Sequence, residues 1–131
     1  MKGKFGIKGF FIVFSITICV HAFGVSSTWS INYGGADYDS AYSIQETSDG
    51  GYVVAGYSDS FTHGGHDFMI YKLDSNGNKV WSRNYGGANM DWAISIQQTS
   101  DGGYVVAGIS KSFTHGGYDF LIYKLDSNGD K

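Results

Sequence analysis

Apolar residues fall along this chain in short, nearly continuous runs, each closed by glycine, asparagine or aspartate, and no window carries the sustained stripe of an amphipathic helix. Residues 41–47 (AYSIQET) run into Ser48-Asp49-Gly50-Gly51, and residues 52–58 (YVVAGYS) return beside them. The Asp-Gly and Gly-Gly steps predict a hairpin turn of the primed type, where glycine supplies positive φ. A longer connection over 59–66 carries SFTHGG, residues 67–73 (DFMIYKL) predict a third strand, and Asp74-Ser75-Asn76-Gly77-Asn78 predicts a second turn. Residues 79–85 (KVWSRNY) complete the set before Gly86-Gly87. Apolar runs of this kind suit strands covered on both faces.

The same pattern is then written again. Residues 29–80 recur as 81–131 at an offset of 52, and of 51 aligned pairs 40 are identical and 11 differ. A repeat of this length is one supersecondary unit that buries its apolar face against a neighbour. Four antiparallel strands per repeat is the arithmetic of a β-propeller blade, whereas the coils of a parallel β-helix are much shorter. The expected fold class is therefore all-β, with β-propeller blades forming an incomplete propeller. It comprises two four-stranded antiparallel repeats of 52 residues, the second lacking its last strand, with residues 29–33 as a lone strand ahead of the first.

These residues also carry a family likeness. The motifs WS-x-NYGGA, SIQ-x-TSDGGYVVAG, SFTHGG and DF-x-IYKLDSNG resemble the repeat of large exported bacterial and archaeal β-propellers of the quinoprotein-like kind, over residues 29–131. The stretch L-D-S-N-G-N-K-V-W from Leu73 to Trp81 is similar to the Asp, Gly, Trp signature of the quinoprotein blade, with the loop between Asp74 and Gly77 one residue shorter. That departure argues against carrying over the quinone chemistry. What the resemblance implies is a structural repeat.

A closed propeller has about four to eight blades, so two do not close. Two readings follow. The chain is a fragment of a longer array, its partners being further blades in cis; or identical chains assemble in trans, each N-terminal strand completing a neighbour's last blade.

The leading segment reads differently from the repeats. Lys2, Lys4 and Lys8 precede an apolar run from Phe10 to Val20, and Ala22 and Gly24 stand where a signal peptidase wants small residues. Residues 1–24 are expected to be a secretory signal peptide, and residues 25–131 the propeller region, secreted to the extracellular space or periplasm. The rival, an uncleaved anchor, falls short of the roughly 20 apolar residues a stable membrane span needs. Cys19 follows Ile18, which does not suit lipoprotein processing, so the cysteine is expected to leave with the signal. Removing three lysines takes the formal charge from -3 to -6, which argues against nucleic acid as a partner. Twenty glycines, no proline and 22 aromatics suit short strands and tight turns.

Candidate chemistry is sparse. His63 and His115 recur in SFTHGG, each four residues before Asp67 or Asp119, and His63, His66 and Asp67 together resemble a ligand set. His66 becomes Tyr118 in the second repeat, so the favoured reading is a hydrogen bond from His63 to Asp67 that shapes the connection. Asp74 and Asp126 open turns that resemble calcium loops, but glycine comes fourth and the twelfth position is Tyr85, where an EF-hand needs glycine sixth and glutamate twelfth. Asp49 and Asp101 read as Asx-type turn residues. No nucleophile elbow is present, Glu46 is replaced by Gln98, and no cofactor or metal is implied.

Differences between the repeats point elsewhere. They include Ile31 against Arg83, Asp37-Tyr38 against Asn89-Met90, Ser40 against Trp92, Tyr57 against Ile109, Asp59 against Lys111 and His66 against Tyr118. Connections 34–40 and 59–66, with their counterparts, are expected to form a binding rim. Its candidate residues are Tyr38, His63, His66, Trp92, His115 and Tyr118, whose flat faces would meet carbohydrate or an extracellular protein; the competing reading has the aromatics capping the stack. The expected function is an exported, non-enzymatic binding or scaffold module. The alternatives are a non-catalytic propeller region of a larger secreted hydrolase, and a small lectin-like chain that oligomerises into a closed propeller.

Overall fold

A computed structural model describes residues 28–131; the expected signal peptide over 1–24 lies outside them. The described residues form seven antiparallel strands in two sheets and no helix. The first sheet holds β1 (Asp39–Glu46), β2 (Tyr52–Ser58), β3 (Asp67–Leu73) and β4 (Lys79–Tyr85) in that order. The second holds β5 (Asp91–Gln98), β6 (Tyr104–Ser110) and β7 (Asp119–Leu125). The architecture is all-β, as the patterning requires. β1 starts earlier than the apolar run because Asp39 still pairs with Ser58, and a bulge between Ala41 and Ser43 recurs between Ala93 and Ser95.

Two local expectations need correction. Residues 29–33 are not a strand: they pair with none, and lie across the first sheet instead. Trp29 Nε1 donates to the Ser75 carbonyl at 3.2 Å, the Tyr33 hydroxyl donates to the Gly77 carbonyl at 2.7 Å, and the Tyr33 ring stacks on Tyr71 at 5.1 Å. Their counterpart, β4, is a strand because β3 stands beside it; no described strand plays that part for residues 29–33. The hairpin turns are also not of the primed type. Only Gly50 takes positive φ (78°) between β1 and β2, no non-glycine residue does, and Gly51 does not. Thr47 N donates to the Gly51 carbonyl at 2.9 Å and Gly50 N to the Thr47 carbonyl at 2.8 Å, the pattern of a type I turn closed by one left-handed glycine. The Asx reading of Asp49 and Asp101 holds: Asp49 Oδ1 accepts from Gly51 N and Asp101 Oδ1 from Gly103 N, each at 3.0 Å, and Asp74 Oδ1 accepts likewise from Asn76 N and Asn78 N.

The core lies between the sheets. Strand alternation sends Phe68 and Ile70 of β3 to the same side as Val53 and Ala55 of β2, and these pack on Ala93, Ile96, Tyr104, Val106 and Leu125 of the second sheet. The tip of the Phe68 ring occupies the notch above Gly108, where a Cβ would stand 2.7 Å from it. β4 reaches over the same joint, with Trp81 edge-on to Tyr104 at 5.7 Å and Tyr85 at 5.3 Å from Tyr123.

Coverage is unequal. β3 is buried on both faces, but β7 on only one: Phe68 and Ile70 are fully buried, while their counterparts Phe120 and Ile122 are 82% and 56% exposed. On the other outer face Ile44 is 60% exposed against 4% for Ile96. The expectation of strands covered on both faces holds for β3, whose outer face residues 29–33 overlie, and fails for β1 and β7, which are covered on one face at most.

Candidate functional site

The two repeats meet at one rim through their connections. Asp91 N, opening β5, donates to the His66 carbonyl at 2.5 Å, which brings Trp92 beside the imidazole of His66. Their ring centroids are 5.6 Å apart, and Tyr57 lies 4.7 Å from His66 and 6.1 Å from Trp92. Tyr118 stacks on Trp92 at 6.1 Å with an interplanar angle of 23°. Polar groups brace this file of rings. His66 Nδ1 hydrogen-bonds the Asp59 carboxylate, the Tyr118 hydroxyl donates to Met90 Sδ at 3.5 Å, and the Lys111 ammonium lies 5.7 Å from the Tyr118 ring centroid. Trp92 Nε1 is buried and has no acceptor among the described residues.

Of the six candidate rim residues, the structure brings together His66, Trp92 and Tyr118 and leaves Tyr38, His63 and His115 apart. Tyr38 is exposed and contributes only its carbonyl, to Asp59 N at 2.8 Å. His63 turns to Asp67, which accepts from its backbone N at 2.7 Å and lies 3.1 Å from Nδ1 on the same oxygen. His115 repeats the backbone bond to Asp119 at 3.0 Å, with its ring in solvent. The grouping of His63, His66 and Asp67 does not form, because His66 is drawn to Asp59. Among the described residues no group of three or more His, Cys, Asp or Glu is placed to hold a metal ion.

Tyr57, Asp59 and Lys111 belong to the cluster although the sequence did not single them out as site residues. The signal was there: all three stand at positions that differ between the repeats, and so do Met90, His66, Trp92 and Tyr118.

Beneath this rim lie two fully buried carboxylates. Asp91 accepts from Gly87 N at 2.9 Å and from the Ser112 hydroxyl at 2.7 Å, mirroring Asp39 with Gly35 N and Ser60. The Oδ1 atoms of Asp67 and Asp91 have no donor among the described residues. Burial pushes the nearby Tyr123 phenol up, and the charges of Asp91 and Asp67 add to it. At the opposite end of the sheets, hydrogen bonds from the Thr47 hydroxyl and then from Lys72 hold Asp49 well below the usual carboxylate range. Lys124, then Thr99, do the same for Asp101.

A second concavity, of about 420 Å³, opens on the outer face of the first sheet. Trp29 and Ile31 form one wall, with Ile44, Val54, Gly56 and Met69 below. It is apolar and carries no catalytic grouping. No family model matches the chain, and no curated protein is significantly similar to it.

Proposed function

We propose that the chain is an exported, non-enzymatic β-propeller repeat module that binds carbohydrate at the aromatic rim between its two sheets. The observation that carries this reading is the convergence of the repeats' differences. In repeats that share 40 of 51 aligned residues, Tyr57, Asp59, His66, Met90, Trp92, Lys111 and Tyr118 all depart from their counterparts and all meet at one place. A four-stranded sheet packed face to face on its own near-copy supports the blade reading. Stacked indole and phenol rings offer flat apolar faces to the C–H surface of a sugar, with the imidazole and carboxylate of His66 and Asp59 as hydrogen-bond partners for its hydroxyls.

The test is a glycan array followed by titration of the selected sugar, read by tryptophan fluorescence. Trp92→Ala is expected to lower affinity at least about tenfold, the loss of a stacked aromatic anchor. Absence of any glycan ligand, or undiminished binding by a folded Trp92→Ala chain, would contradict the reading.

A further inference from the structure

We infer that a second copy of this chain docks head to tail on the first, adding its residues 29–33 as the fourth strand of the second sheet and laying its first sheet over Phe120 and Ile122. The inference does not depend on the carbohydrate reading; it rests on the joint that the chain already contains.

That joint has two halves. One is the face carrying Val53, Ala55, Phe68 and Ile70; the other carries Ala93, Ile96, Tyr104 and Val106. Offset by 52, the first half recurs as Val105, Ala107, Phe120 and Ile122 on the open face of the second sheet. The second half recurs as Ala41, Ile44, Tyr52 and Val54 on the open face of the first. All eight side chains are identical to their counterparts, so the molecule exposes both complementary surfaces of an interface it already forms internally. Gly56 is the counterpart of Gly108, whose notch takes the Phe68 ring, and it lines the 420 Å³ groove. The groove is the seat for Phe120 of another copy.

The free edge of β7 makes the same demand. β3 pairs with β4 through Phe68 with Tyr85, Ile70 with Arg83 and Lys72 with Trp81. β7 is the counterpart of β3 and has no strand on that side among the described residues. The corresponding partners are Tyr33 for Phe120, Ile31 for Ile122 and Trp29 for Lys124.

Residues 29–33 already hold the pose this requires. Trp29 lies edge-on to Tyr52 at 5.7 Å as Trp81 does to Tyr104 at 5.7 Å, and Tyr33 bonds the Gly77 carbonyl as Tyr85 bonds that of Gly129. The segment is seated on its own first sheet with its backbone unpaired among the described residues, so strand addition orders little new chain. The joint is heterologous, and successive copies close into a ring when about four to eight blades are reached, which is about two to four copies.

The experiment combines sedimentation velocity with a register-specific cross-link in a Cys19→Ser background. The purified chain is expected to associate with rising concentration. Phe120→Asp is expected to weaken association at least about tenfold with its circular dichroism unchanged, since that side chain is exposed in the single copy. Ile31→Cys with Ile122→Cys is expected to form an inter-copy disulfide on oxidation, because directly opposed residues in an antiparallel pair lie within disulfide reach. Ile31→Cys with Lys124→Cys, out of register, is not.

A chain that stays monomeric, association indifferent to Phe120→Asp, or cross-linking equal in the two cysteine pairs would each overturn the inference. So would a natural protein whose intact mass includes further repeats that cover Phe120 in cis.

Discussion

At the scale of single residues, four of the eleven differences between the repeats form two compensating pairs. Asp59 with His66 becomes Lys111 with Tyr118, so an imidazole–carboxylate bond is exchanged for a cation over a phenol ring. Arg83 ion-pairs with Asp130 at 2.9 Å, and both partners are neutral in the other repeat, Ile31 and Asn78. Lys72 illustrates how the same residue differs by context. Its side chain is 6% exposed and its ammonium reaches the Asp49 carboxylate at 2.9 Å and the Leu73 carbonyl at 3.0 Å, whereas that of Lys124, with the equivalent partners Asp101 and Leu125, is 51% exposed.

Lys72→Ala is therefore expected to cost about 1–3 kcal/mol, and Lys124→Ala within about 0.5 kcal/mol in the single copy, by urea denaturation. Asp49 has its folded pKa depressed, so its contribution is full above the unfolded carboxylate value of about 3.9 and is lost as pH falls through the folded value. Because its side chain is largely exposed, that contribution is about 0–1 kcal/mol. Asp49→Asn should remove it at pH 7 and flatten the acid limb of the stability profile.

At the scale of elements, β3 and β7 differ only at Met69 against Leu121, yet one is a core strand and the other an open edge. Ile70→Ala removes a fully buried side chain from the inter-sheet core and is expected to cost about 2–5 kcal/mol. Ile122→Ala, the same change 52 residues on, is expected to leave folding of the single copy within about 0.5 kcal/mol and to act on association instead. Paired thermal and chemical unfolding curves of the two variants check this. All seven observed strands and every turn position were legible in the alternation and punctuation, because strand and turn chemistry acts over a few residues. Residues 29–33 were misread for a related reason: their composition is that of β4, but a strand exists only where a neighbour accepts its hydrogen bonds.

At the scale of the whole molecule, one hydrophobic cluster spans both sheets, with Phe68 and Ile70 on one side and Val106 and Leu125 on the other. The sheets are thus expected to unfold together, with far-ultraviolet circular dichroism and tryptophan fluorescence tracing coincident urea transitions. Two separated transitions would mean that each sheet holds its own core.

The amino-acid order alone determined the repeat, its seven paired strands, the positions of its turns and the identity of the surfaces that face each other, since all of these are written in local pattern and copied once. Only the tertiary structure decided which copy of each surface is covered, so that Phe68 is buried and Phe120 is not. It also decided that His66 turns to Asp59 and away from His63, and that Trp92 meets Tyr118, because burial and long-range contact depend on the neighbour a residue is given rather than on its own sequence.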